Sequence, residues 1–244
     1  MAKQQAQADC FAQLLRITVF LSGKVPDTSG LWHRLTGRDP EIDEHRRREG
    51  LHRQAGPHGE GELEVRVLPG RVDLLMTPLT TDVAVPNPHI GPFQTEAEAF
   101  LALARPWLSD IGGAIVRVAF GGLSLHPARD RAEAYGLLAR YVPSLRVDAE
   151  HSKEVLYRVN RPKESSYGIT LNRITTWTPI SLKIDVSSTG SKPLRISEQH
   201  FLRLEFDHNT PAERTDPLED AVIVPIFEEL LELAIENAFQ GECP

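Results

Sequence analysis

The chain has 244 residues, a formal net charge of −7, 41% hydrophobic residues and 25% charged residues. That length supports one large domain or two small ones, and the composition excludes global disorder. A pI near 5.7 excludes nucleic-acid binding driven by the charge of the whole surface, and no stretch approaches the roughly 18 uninterrupted apolar residues of a membrane span.

The opening segment, MAKQQAQADCFAQLLRITVF, lacks the basic region, apolar core and cleavage pattern of a secretory signal, so a cytoplasmic protein is expected. Cys10 and Cys243 stand far apart with no CxxC or metal-ligand spacing. They read as two free thiols in a reducing compartment, the alternative being a disulfide between them.

Leu14–Leu21 reads as a buried strand and Leu31–Thr36, around Trp32, as a short helix. Asp39–Gly59 is crowded with charge and reads as a solvated helix, with Glu44 and Arg48 spaced for an i,i+4 pair, or as an excursion ending at Gly56-Pro57. Glu62–Thr77 alternates around Pro69-Gly70, which predicts a β-hairpin. A Pro-rich loop follows from Thr80 to Pro92. Ala99, Phe100, Leu103 and Trp107 mark a helix over Thr95–Leu108, capped by Thr95 with Glu98 behind it and shortened by Pro106. Gly112-Gly113 opens a strand over Ala114–Phe120, and a short separate strand is expected at Leu123–His126.

Residues 14–120 thus read strand, helix, two strands, helix, strand, the order of a ferredoxin-like unit. The second half adds a helix over Asp130–Tyr141, strands at Val155–Val159, Ile169–Thr176 and Ile180–Val186, a turn at Ser187–Pro193, a cleanly alternating strand at His200–Asp207 and a closing helix. A weak echo at an offset of 51 relates Val65-Arg66-Val67 with Gly70 to Val116-Arg117-Val118 with Gly121. The expected fold is α+β, with antiparallel sheets, two ferredoxin-like or related βαββ-type halves (1–120 and 121–244) and a long C-terminal helix.

No catalytic set converges, and no cofactor is implied. The motifs G-x-S-x-G, G-x-x-x-x-G-K-[ST] and G-x-G-x-x-G are absent. His45, His52 and His58 are separated by seven and six residues, without the two close pairs or HExxH of a zinc site, and read as exposed histidines. Glu205 and Asp207, with Asp185 on a neighbouring strand and Lys183 beside it, would suit a divalent cation in a nuclease or phosphodiesterase. The plainer reading is a solvated strand face paired with Arg203.

Two segments favour binding. Residues 151–215 hold ten Lys/Arg against seven Asp/Glu, and Tyr157, Arg158, Asn160, Arg161, Lys163, Asn172, Arg173 and Trp177 interleave basic, amide and aromatic groups suited to phosphates and stacked bases. Asp216–Pro244 holds eight acidic residues and no Lys or Arg, around the densest aliphatic run in the chain. Ile223, Phe227, Leu230, Leu231 and Ile235 form a stripe too wide for one helix face, which points to a partner or a second copy. The alternative is packing against the basic strands of the same fold, with both charge excesses satisfied internally. No terminal cation on this helix answers its dipole.

The strings YRVNRP, LNRITTW and LEFDHNT, followed by a long terminal helix, resemble those of a sporadically distributed bacterial family of uncharacterised α+β proteins over Val155–Gly241. The resemblance implies a bacterial cytoplasmic protein from a mobile or defence-associated gene cluster and supplies no catalytic residue. The first reading is therefore a non-catalytic subunit or adaptor of a protein assembly, in contact with its partner through the helix or sheet faces. Nucleic-acid binding through 157–177 is the alternative.

Overall fold

A computed structural model describes residues 10–23, 25, 28, 30–79, 89–111, 115–185 and 196–242, with the side chains of 183–185 and 196–197 outside that description. The elements run β1 (Phe11–Leu21), α1 (Leu31–Thr36), β2 (Ile42–Arg46), β3 (Leu51–His58), β4 (Gly61–Leu68), β5 (Arg71–Pro78), β6 (Gly91–Pro92), α2 (Phe93–Asp110), β7 (Ile115–Ala128), α3 (Arg131–Tyr141), β8 (Tyr157–Asn160), β9 (Lys163–Glu164), β10 (Thr170–Asp185), β11 (Ile196–Asn209) and α4 (Asp220–Gln240). The fold is α+β. One 11-stranded sheet runs β2-β3-β4-β5-β1-β7-β11-β10-β8, with β6 beside β1 and β9 beside β10.

Every pairing in this sheet is antiparallel. A split βαβ unit needs parallel strands joined by a crossover helix, so the register does not build ferredoxin-like halves. The reason lies in residues 39–59. Their charge suggested a helix, but they form the hairpin β2–β3, with the chain turning through Arg47–Gly50 and Gly50 at φ 63°. Strands β2 to β5 then make a four-strand meander, and Glu44 pairs with Arg46 rather than Arg48. An edge strand has charge on both faces, so β2 carries no alternation to read.

The expected boundary at 120/121 falls inside β7, a single strand of 14 residues. Gly121-Gly122 does not break it. A Cβ at Gly122 would lie 2.6 Å from Leu14 O and 2.6 Å from Phe206 Cζ, so glycine here admits the Phe206 ring. The echo at offset 51 thus relates a hairpin to an uninterrupted strand.

Directly opposed residues in an antiparallel ladder share a face. The rows Val65–Leu74–Ile17–Phe120–His208–Arg173 and Leu63–Met76–Leu15–Gly122–Phe206–Thr175 therefore lie on one face of the sheet. Helices α2, α3 and α4 pack on that face, with α1 against α2. Phe206 meets Phe93 of α2 edge-on at 5.5 Å and Phe120 in a stack at 5.8 Å. The opposite face carries Arg53–Glu64–Arg66, Arg71–Asp73–Thr18 and Arg16–Asp207 as hydrogen-bonded charge groups.

The helix α2 starts two residues before the expected Thr95 cap, with Pro92 at the cap position and Phe93 N–H donating to Cys10 O at 2.8 Å. Pro106 does not end it. In α3, Asp130 is the N-cap and accepts from Glu133 N–H at 2.8 Å.

Candidate functional site

The residues singled out from sequence have separate fates. The C-terminal stripe is not free for a partner. Ile223, Phe227, Leu230 and Leu231 are buried and Ile235 is half-buried, because α4 packs on β7, β10 and β11 on one side and on α2 on the other. Two neighbouring surfaces explain a stripe wider than one face. The charge is also met within the fold: Glu228 pairs with Arg105 at 2.5 Å, and Glu229 accepts from Ser166 N–H at 3.0 Å.

At the C-terminal end of α4, Glu242 accepts from Tyr157 Oη at 2.6 Å, Ser144 Oγ at 2.7 Å and Arg161 Nε at 3.0 Å. Burial would raise the Glu242 carboxyl, but these hydrogen bonds and the Arg161 charge hold it below the ordinary glutamate value. Arg161, from next to β8, thus neutralises the acidic group that follows the last turn of the helix.

The same contacts disperse the nucleic-acid set. Trp177 is fully buried against Tyr141 at 5.3 Å, and Arg173 is buried. Tyr157 and Arg161 are held by Glu242. Asn160 Nδ2 donates to Asn172 Oδ1 at 2.9 Å, and Asn172 Nδ2 donates to Asn209 Oδ1 at 3.1 Å, a chain of amides joining three strands. Arg158 and Lys163 are exposed. No stacking platform formed by these aromatics faces solvent.

The cation triad is not brought together either. Glu205 and Asp207 share the face away from the helices, and Asp207 pairs with Arg16 at 3.3 Å. The Asp185 side chain lies outside the described residues, and its backbone is opposite Ile196, nine positions along β11 from Glu205. At about 3.3 Å per residue that is roughly 30 Å.

The interior holds two polar groups under the helices. His208 is buried, with Nδ1 3.3 Å from Leu230 O and Nε2 3.1 Å from Asn237 Nδ2, while Asn237 Nδ2 also lies 3.0 Å from Thr175 Oγ1. An amide donor at Nε2 and a carbonyl at Nδ1 fix a neutral imidazole protonated on Nδ1. Cys10 Sγ is 3.6 Å from His126 Nε2. Burial pushes the thiol up to about 12 and the His126 imidazole down to about 4. Such a pair holds no thiolate near neutrality and acts as packing. Cys243 lies outside the described residues, as do residues 80–88 of the Pro-rich loop and the Ser187–Pro193 turn.

A different feature is open to a ligand. Strand β10 outruns β8: the last β8 pair is Tyr157 with Trp177, whereas β10 continues along β11 to Asp185. From Thr178 onward no described strand pairs with this edge of β10. Arg161 N–H donates to Arg173 O, and Arg173 N–H donates to Asn160 Oδ1, so the backbone groups of Arg173 point to the β8 side. The register is unbroken, so alternate residues Thr175, Trp177, Pro179 and Ser181 point the same way. Pro179 therefore places its missing N–H where β8 no longer runs, and Ser181 presents an N–H and a C=O beyond it.

This edge borders a groove of about 660 Å³ walled by Arg131 and Tyr135 of α3, by Thr178–Ser181 and by Lys153–Leu156. Arg131 Nη1 donates to Ala149 O at 2.7 Å and Tyr135 Oη to Ser152 O at 3.2 Å, which fixes the segment before the groove wall to α3. Leu156 is 65% exposed at the groove and is the most exposed large hydrophobic residue among those described. The sequence signal for this edge was alternation continuing through Thr178-Pro179-Ile180, which Pro179 disguised as a break between two strands.

Among the described residues, no helix is long and apolar enough to cross a membrane. Comparison with protein-family models, with curated proteins and with solved structures finds no match.

Proposed function

We propose that this chain is a non-catalytic adaptor that holds an extended segment of a partner protein at the free edge of β10. The observation that supports it is the edge of β10 at Ser181, which pairs with no strand among the described residues and lies beside a groove with Leu156 exposed in its wall. Strand addition uses main-chain hydrogen bonds for affinity and neighbouring pockets for side-chain selection, and this corner has both parts. The contact lies on a sheet edge and not on the C-terminal helix, whose apolar stripe is engaged within the fold.

A partner recovered by co-purification from the native host provides the test. Ser181→Pro removes the edge donor, and Leu156→Asp removes the apolar contact. Each is expected to weaken a purified complex by about tenfold or more, in line with roughly 1–2 kcal/mol per lost buried contact. Hydrogen exchange at the Ser181 amide is expected to slow on binding. Full affinity in both variants, with circular dichroism showing both folded, would overturn the reading.

A further inference from the structure

The hairpin β2–β3 places His45 directly opposite His52 and Asp43 directly opposite Gln54. A separation of seven residues, uninformative in a helix, becomes face-to-face contact across a hairpin. The two imidazoles stack with centroids 3.8 Å apart and planes 15° from parallel. Asp43 lies two positions from His45 on the same face, with Oδ1 2.8 Å from His52 Nε2 and 3.3 Å from His45 Nε2. Gln54 Nε2 donates to the other carboxylate oxygen, Oδ2, at 3.0 Å.

One donor atom from each of Asp43, His45 and His52 lies within 4.8 Å of the other two. Two imidazole nitrogens with one carboxylate oxygen form a ligand set for a first-row divalent cation, and Zn²⁺ takes such a set with water as its fourth ligand.

We infer that Asp43, His45 and His52 form a surface Zn²⁺ site on the edge hairpin, with Gln54 as the positioning residue that orients the Asp43 carboxylate. Side-chain exposures of 47% for Asp43, 63% for His45 and 20% for His52 leave the cation accessible from solvent. The hairpin register sets the spacing of the two rings, and cation binding would turn them out of their stack to aim one nitrogen of each at a common point. The bound cation would tie β2 to β3 at the outer edge of the sheet, where no second described strand pairs with β2.

Calorimetric titration of the full chain with ZnCl₂, after chelator treatment, tests this directly. One saturable equivalent is expected. Asp43→Asn, His45→Ala and His52→Ala should each abolish it, Gln54→Leu should weaken it by about tenfold, and His151→Ala, at a surface His–Asp pair without a third ligand, should leave it unchanged. Co²⁺ should give tetrahedral visible absorption that disappears in the His45→Ala/His52→Ala double variant. Circular dichroism of each variant separates loss of ligand from loss of fold, and Asp43→Asn preserves the side-chain shape. No saturable heat from the folded wild-type protein, or undiminished binding by the double variant, would overturn the assignment.

Discussion

At Gly122 the helix-facing side of β7 carries no side chain, and the Phe206 ring fills the space. Gly122→Ala puts a methyl group against Leu14 O as well as that ring, and backbone cannot yield as a side-chain tip can. A loss of about 2–3 kcal/mol is expected, read as a lower urea midpoint at unchanged slope. The glycine was visible in the sequence, but its use was not, because its partner lies 84 residues later in the chain. His126 and His208 carry a second residue-scale expectation. Burial lowers both imidazoles to about 4 from an ordinary value of 6.5, with Arg140 adding to the effect at His126. The unfolded chain therefore binds more protons between those values, so the stability from keeping both rings neutral is complete above about 6.5 and is lost as pH falls toward 4. A drop on the order of a few kcal/mol is expected over that window. Urea melts at pH 7 and pH 5 check it, and an unchanged midpoint would contradict burial of two neutral rings.

Among the elements, α4 was recognised in type, since aliphatic spacing and an acidic first turn are local signals. Its role was not local. The width of its apolar stripe fits a partner chain or two surfaces of its own fold equally well, and only packing against both the sheet and α2 decides between them. Phe227→Ala should then cost about 3–5 kcal/mol as a buried cavity rather than behave as a neutral surface change. Chemical denaturation of the full-length variant measures this. A chain ended at residue 215 should lose its cooperative transition, since the helix face of β7 and β11 would be stripped of its cover. A truncated chain that still melts cooperatively would return α4 to the role of a docking element. The hairpin β2–β3 is the opposite case: its type was hidden, because an edge strand needs no apolar face.

At the scale of the whole molecule, part of the charge asymmetry is met within the fold. Arg105, Arg161 and the Ser166 amide meet carboxylates of the C-terminal segment, so the acidic helix and the basic strands form one structure. The two surfaces proposed for other molecules are the overhanging edge of β10 and the histidine hairpin of β2–β3, toward opposite ends of the strand order. They can be separated by experiment: Ser181→Pro is expected to leave Zn²⁺ binding unchanged, and His52→Ala is expected to leave partner affinity unchanged. Coupled losses in both assays would mean that one variant had disturbed the sheet between them.

By itself the sequence determined the α+β class, the antiparallel strands with clean alternation, the hairpin at Pro69-Gly70 and the closing helix, because each rests on neighbours a few residues apart. It also placed α1, α2 and α3 to within about two residues at each end. The tertiary structure alone decided that two expected halves are one sheet, that Gly121-Gly122 and Pro179 lie within strands, that Trp177 is core rather than platform, and that His45 meets His52. Those outcomes depend on register between strands distant in the chain. Register is set by the summed packing of a whole face, a quantity that no local window of residues contains.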